Sequence, residues 1–292
     1  MKKANIRWSW ELGHVRPSFL GVLYRDAGFP FPDSADNSDF NGMFGPGAFG
    51  VFAFLDDKLV GSARVFSDDL TSSWLAEICI DSVWRGQGIG RFLMGKIDER
   101  FCHTALYCDA PTEAVEFFRM VGVRPKVKLN ACLRQPATNQ VDDHEVQGIT
   151  IHDHASRYQA EAFDDVADSV GFGISDKGIP RTELYGRIFG NGTFGSFAET
   201  EDGRLVGFAR AFSDDLTKTY VAEICVRPEW QGKGVGKALV NRVVRRYYHT
   251  AIYTEAFPSA LRLFESCGIR PDSKLVGCSR APLAPERTSS CL

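Results

Sequence analysis

Hydrophobic positions along the chain form short apolar runs separated by polar turns, and the runs recur in the same order in each half. In the first half, "NIRWSW" leads into "PSFLGVLYRDAG", whose spacing of apolar residues predicts a helix. The strand-like runs "AFGVFAFL" and "LVGSARVF" flank a turn at Asp56–Lys58, and the polar turn "SDDLT" separates the second run from "WLAEICI". A glycine-rich turn then opens the amphipathic stretch "GRFLMGKIDERF", and a further strand, helix and strand close the unit. The second half repeats this order with "GITIH", "YQAEAFDDVADSVG", "TFGSFAET", a turn at Glu201–Gly203, "LVGFARAF", "YVAEICV" and "GKALVNRVVRRYY". An antiparallel meander followed by strand–helix–strand predicts an α/β (α+β) unit: a mixed, mostly antiparallel sheet covered by helices.

The repetition extends to residue identity. "RVFSDDLTSSWLAEICIDSVWRGQGIG" (64–90) matches "RAFSDDLTKTYVAEICVRPEWQGKGVG" (210–236), and "GVRPKVKL" (122–129) matches "GIRPDSKL" (268–275). A period this long is that of a duplicated domain, not of a solenoid. The expected organisation is an N-terminal domain at 1–136, a polar linker at 137–147, a C-terminal domain at 148–281 and a loose tail at 282–292.

Composition narrows the class. Hydrophobic residues at 44% and charged residues at 24% are those of a globular chain, and a formal charge of −3 gives no basic face for nucleic acid. No run approaches the roughly 20 apolar residues of a membrane span, and "MKKANIRWSW" lacks the apolar core of a secretory signal. Eight cysteines occur without a C-x-x-C pair or Cys/His ligand spacing, so no metal is expected. Cys79, Cys108 and Cys225 lie in apolar runs and read as buried thiols, which points to a reducing cytoplasm. Oligomeric state is not legible.

The glycine-rich turns carry the chemistry. Arg85, Gly86, Gln87, Gly88, Ile89 and Gly90 correspond to Gln231, Gly232, Lys233, Gly234, Val235 and Gly236. Neither copy ends in the Lys-Ser/Thr pair of a Walker loop, and the third glycine falls one place early for a dinucleotide fingerprint. What remains is [QR]-x-x-G-x-[GA] between strand and helix. Such a backbone can approach a pyrophosphate closely, with the helix dipole behind it and Arg91 or Lys237 adding charge.

These residues resemble the GNAT superfamily of acyl-CoA-dependent N-acetyltransferases, in tandem and over nearly both halves. The run from "ARVFSDDLT" through "LYCDAPTEAVEFFRMVGVRP" is also similar to a small bacterial and plastid branch of that family. The resemblance implies acetyl-CoA as the acyl donor, its pyrophosphate on these loops and its pantetheine arm between two splayed parallel strands. Those strands would be "AEICI" with "ALYCD" and "AEICV" with "AIYTE". Cys79 and Ile80, and Ile224, Cys225 and Val226, would thus line the donor.

Glu77 and Glu223 stand where many family members carry a catalytic base; the other reading is a structural carboxylate satisfied by a basic partner. Phe118 and Phe264 occupy the place of the family's proton-donating tyrosine, and phenylalanine has no proton to give. Tyr107 and Tyr253 are possible substitutes or core residues. Asp109 and Glu255, two places further along the same strand face, are candidates to bind a cationic amine. His103 and His249 are expected at a strand edge, and the paired acids Asp68, Asp69, Asp214 and Asp215 read either as turn residues or as an attractor for a cation.

The wording "VRPEWQGKGVGKAL" is nearer the family's than "IDSVWRGQGIGRFL", which favours the C-terminal copy for catalysis. The expected reaction is acetylation of a primary amine, on a small molecule. A non-catalytic acyl-CoA sensor or scaffold, and a protein lysine or N-terminal acetyltransferase, are the alternatives. The acceptor is expected to be shaped by "FPFPDSADNSDFNGM" and "GISDKGIPRTELYGR", where the copies diverge most.

Overall fold

The computed structural model describes residues 6–29, 41–172, 180–190 and 192–283. Residues 30–40 and 173–179 of the two acceptor-shaping segments and the tail from residue 284 lie outside the described residues. The chain divides into two units, Met1–Pro125 with Cys278–Leu292, and Lys126–Gly277.

The first unit holds β1 (Arg7–Ser9), β2 (Ala48–Leu55), β3 (Lys58–Ser67), β4 (Ser72–Ile80), β5 (Ala105–Pro111) and β6 (Arg124–Pro125). The second begins with β7 (Asn130–Arg134) and continues through β8 (Ile149–His152), β9 (Thr193–Thr200), β10 (Leu205–Ser213), β11 (Lys218–Val226), β12 (Ala251–Ala256) and β13 (Arg270–Pro271). The last strand is β14 (Leu275–Arg280). The sheet orders are β1-β2-β3-β4-β5-β14-β6 and β13-β7-β12-β11-β10-β9-β8.

In both sheets, four strands form the predicted antiparallel meander. The β2–β3 turn places Asp56 and Asp57 at φ +46° and +66°, the left-handed backbone of a tight hairpin. The longer turn in the second copy uses Gly203 at φ +83° instead. One sheet face is covered by the Ile89–Phe101 helix in the first unit and the Val235–Arg246 helix in the second. Leu93, Ile97 and Phe101, or Val235, Leu239 and Val243, recur every four residues and are buried.

Each parallel strand pair holds together over three rungs only: Ser72–Trp74 against Ala105–Tyr107, and Lys218–Tyr220 against Ala251–Tyr253. Beyond Trp74 or Tyr220 the ladder stops, so the strands splay. A chain of hydroxyls pins the closed end. Ser67 Oγ, Ser73 Oγ and Thr104 Oγ1 follow one another at 2.8 Å, as do Ser213 Oγ, Thr219 Oγ1 and Thr250 Oγ1.

The units are not the contiguous halves of the sequence expectation. β7 is laid down between β12 and β13, and β14 between β5 and β6, so the closing strand of each copy completes the other copy's sheet. Arg280 donates to the carbonyls of Phe101 and Thr104, capping the end of the Ile89–Phe101 helix. Arg134 donates to the Tyr248 carbonyl just past the Val235–Arg246 helix. Thus a boundary at 136 or 281 cuts off a strand that the neighbouring sheet needs. A chain ending at Gly277 is expected to lose slow amide exchange in β5 and at the Ile89–Phe101 helix end, while residues 126–277 keep theirs. Loss confined to residues 126–277 in a hydrogen-exchange comparison would contradict the exchange.

The expected linker is an ordered strap within the second unit. Ala137 N–H donates to the Tyr248 carbonyl, Asn241 Nδ2 to the Asp142 carbonyl, and Arg245 pairs with Asp143 at 2.6 Å. Val141 and Val146 pack against the core beneath.

Candidate functional site

The site in each unit gathers where the parallel strands part. A β-bulge takes Ala76, between Leu75 and Glu77, out of the β3–β4 register, and Ala222, between Val221 and Glu223, out of the β10–β11 register. Register therefore places Glu77 opposite Arg64 and Glu223 opposite Arg210. Those arginines are the reason a carboxylate is tolerated inside an apolar strand.

The two carboxylates differ. Glu77 accepts from Arg64 Nε at 2.5 Å and Nη2 at 3.2 Å and from the Tyr24 hydroxyl at 2.5 Å, and neither ion-pair side chain has accessible surface. Burial, reinforced by the Glu77 charge, pushes the Tyr24 hydroxyl well above its ordinary pKa, so it remains a donor. Among the described residues Glu223 accepts from Arg210 Nε at 2.9 Å through Oε2, and its side chain is 12% accessible. The nearby Tyr185 hydroxyl is committed to Asp164 at 2.7 Å.

The glycine-rich turns have the geometry of an anion cradle. Gly86 and Gly88, like Gly232 and Gly234, have φ between +73° and +89°, which only glycine adopts without strain. No acidic residue occupies the first turn of either following helix, leaving its N–H groups and dipole unquenched. Gly90 serves another purpose: a Cβ there would stand 3.1 Å from Phe117, so it lets the Val115–Met120 helix approach. Arg85 and Gln231 turn back to the carbonyls of Ile80 and Val226, bracing the loop. The loops differ in cover. A Cβ on Gly88 would meet nothing within 4 Å, whereas one on Gly234 would lie 3.2 Å from His144 Nε2 and 3.5 Å from Val146, at the end of the strap.

The remaining predicted residues divide. Tyr107 and Tyr253 sit on the last paired rung, opposite Trp74 and Tyr220. Asp109 accepts from the Trp74 indole N–H at 3.2 Å, and Glu255 accepts from the Tyr220 hydroxyl. Phe118 and Phe264 are 4% and 3% exposed. Cys79, Cys108 and Cys225 are buried free thiols, and burial pushes Cys225 up to about 12. Asp68 and Asp214 are turn residues: each carboxylate accepts three backbone N–H groups and a threonine hydroxyl. Asp69 and Asp215 pair with Arg100 and Arg246, and His103 and His249 bond their carbonyls, at part-exposed edges.

Sequence reading missed Tyr24 and the two arginines as partners, although "SARVF" and "FARAF" place a charge in each strand. It also missed a cavity of about 520 Å³ in the second unit, whose lining includes Phe163, Tyr185, Phe189 and Phe197. Tyr185, which lines that cavity, also feels the Glu223 charge. The corresponding cavity of the first unit is about 270 Å³. Among the described residues no cluster of three or more His, Cys, Asp or Glu is placed to hold a metal ion, and no helix is long and apolar enough to cross a membrane.

A splayed strand pair above a glycine-rich helix entry, present twice, defines a tandem acyltransferase fold. The profile of the acetyltransferase (GNAT) family matches residues 159–269, and that of the acetyltransferase (GNAT) domain matches residues 24–128. The chain belongs to that family and carries two of its domains. Over 74 residues it is 38% identical to GCN5-related N-acetyltransferase 3, chloroplastic, of Arabidopsis thaliana, covering 24% of this chain and 31% of that protein. Over 45 residues it is 42% identical to histone acetyltransferase TAP1 of Glycine max, covering 15% and 20%. These matches span less than a third of either relative. A tandem GNAT protein from the clavulanic acid biosynthesis pathway shares the fold at a TM-score of 0.56 and 14% identity, over 94% of this chain and 98% of that one.

Proposed function

We infer that the protein transfers acetyl from acetyl-CoA to a primary amine of a small molecule, and that the Lys126–Gly277 unit carries the transfer. The observation that carries this reading is the contrast between Glu223, reachable and held through Oε2, and Glu77, sealed on all sides. A base must be reachable by the ammonium proton it removes.

Acetyl-CoA is the acyl-donating substrate, and the residues present fit it. Backbone N–H groups of Gly232, Lys233, Gly234, Val235, Gly236 and Lys237 would hold its pyrophosphate, helped by the Lys237 charge. The unpaired edge of β11 at Ile224, Cys225 and Val226 would receive the pantetheine arm, and N–H groups beside the bulge would stabilise charge on the thioester oxygen. Glu223 removes the amine proton directly or through one water, while Arg210 holds the carboxylate in place through Oε2. The aromatic-lined cavity beside Tyr185, about 520 Å³, suits a compact amine with an apolar body.

A second reading concerns the first unit alone. Its open loop at Arg85, Gly86, Gln87, Gly88, Ile89, Gly90 and Arg91, with Cys79 and Ile80 on the strand edge, would bind acyl-CoA while Glu77 does no chemistry.

Calorimetric titration with acetyl-CoA, paired with thiol release over a panel of small amines, tests both readings. The expected stoichiometry is near two, with turnover from one unit; absence of binding would overturn the function. Gly234→Val is expected to impair turnover more than Gly88→Val, because it strains φ +89°, strikes the strap and lies in the unit with the reachable carboxylate. Equal loss, or greater loss at Gly88, would reverse the assignment of units.

A further inference from the structure

Breaking a thioester leaves a thiolate that needs a proton, and the two buried phenylalanines at 118 and 264 cannot supply one. The second unit contains another group at the mouth of its splayed strands. Tyr220 and Tyr253 form the last rung of the parallel pair, and Glu255 is the next residue on the same face of β12. The Tyr220 hydroxyl donates to Glu255 Oε2. Glu255 Oε1 is shielded from solvent and has no hydrogen-bond partner among the described residues. The room for this side chain is specific: a Cβ on Gly277 of β14 would stand 2.9 Å from Glu255 Cγ, so glycine is required there.

The surroundings raise the carboxyl's proton affinity. Desolvation pushes Glu255 up to about 7, against the opposing pull of the Tyr220 hydroxyl. From β11, Lys218 shares the face of Tyr220, with Nζ 6.0 Å from the Tyr253 ring. The Glu223 charge is engaged by Arg210 of β10. Ala131, the register partner on β7, and Gly277 on β14 bring no charge. In the first unit, Trp74 and Asp109 occupy the corresponding places, and an indole N–H holds a carboxylate without being able to pass on a proton.

We propose that Glu255, positioned by Tyr220, is the acid that protonates the departing sulfur in the Lys126–Gly277 unit. The inference rests on the reading that this unit transfers acetyl. As the amine nitrogen bonds to the acyl carbon, the carbon–sulfur bond breaks with its electron pair on sulfur. The Glu255 carboxyl proton passes to that sulfur, giving the thiol and a Glu255 carboxylate. Glu223 takes the proton lost by the amine and releases it to solvent, and solvent returns one to Glu255 before the next turnover.

The test combines infrared difference spectroscopy of the full chain with kinetics. In wild type, the carbonyl stretch of a protonated carboxyl should disappear as pH rises through about 7 and should shift on adding acetyl-CoA. Glu255→Gln should abolish that band and lower kcat by about 10²-fold or more while retaining donor binding by calorimetry. It should also remove the fall in kcat above about pH 7 that loss of the acid proton produces in wild type. Tyr220→Phe removes a bond that stabilises the carboxylate, so it should move both the band and the kinetic limb to higher pH; a purely structural role would move the band and leave the kinetic limb in place. A band unmoved by acetyl-CoA, or a Glu255→Gln variant with unchanged kcat and pH profile, would overturn the proposal. Failure of wild type to bind acetyl-CoA at all would instead overturn the function on which it rests.

Discussion

Arg64→Ala is expected to destabilise the first unit by about 3–5 kcal/mol, because it strands a buried carboxylate. Arg64 gives Glu77 two hydrogen bonds and donates a third to the Met43 carbonyl, with no accessible surface on either partner of the ion pair. Alanine removes all three donors and the compensating charge from a carboxylate that also accepts from the Tyr24 hydroxyl. Arg210→Ala in the second unit should cost less, since Glu223 retains 12% accessibility and can recruit water. Denaturant unfolding of the two variants checks the order, and an equal or smaller loss for Arg64→Ala would refute the account of a sealed pair. Arg64→Lys should recover only part of the loss, because an ammonium cannot reproduce the two-pronged contact.

The largest kinetic effect is expected from Glu223→Gln. The amide keeps the size of the carboxylate but cannot take a proton, so kcat should fall by about 10²–10⁴-fold. Acetyl-CoA affinity should remain within about threefold, since the donor is held by backbone groups and Lys237 rather than by this side chain. A lowered affinity with unchanged kcat would make Glu223 a binding group instead. Thermal unfolding of the variant separates loss of a base from loss of fold, because Arg210 then lacks a charged partner on β11.

Glu77 and Glu223 show how far local pattern reaches. Both lie in the same "AEIC" context with an arginine in the preceding strand, and register brings each pair together. What separates them is Tyr24, which arrives from a helix about fifty residues upstream. No feature of "LAEIC" or "VAEIC" encodes that arrival, since it depends on how the Pro17–Asp26 helix packs on the sheet. The glycine-rich loops were legible because their chemistry is local: positive φ, a helix start and no acidic residue in the first turn. The paired aspartates were legible only in part: the Asp68 and Asp214 carboxylates satisfy backbone donors of the turn, and those of Asp69 and Asp215 pair with Arg100 and Arg246.

By itself the sequence determined the duplication, the meander in each copy, the two helix-entry loops and the missing tyrosines, all of which rest on periodicity or backbone stereochemistry. It did not determine which sheet each closing strand joins. "NACLR" and "LVGCSR" carry the same cysteine and arginine in the same phase, so local interactions fit either strand to either sheet. Tertiary structure broke that degeneracy, seating β7 beside β12 and β14 beside β5. It also placed the His144 end of the strap over one glycine loop and left the other open. Contacts between residues far apart in the chain are made or withheld by packing, and packing distinguished two copies that local pattern treats as equal.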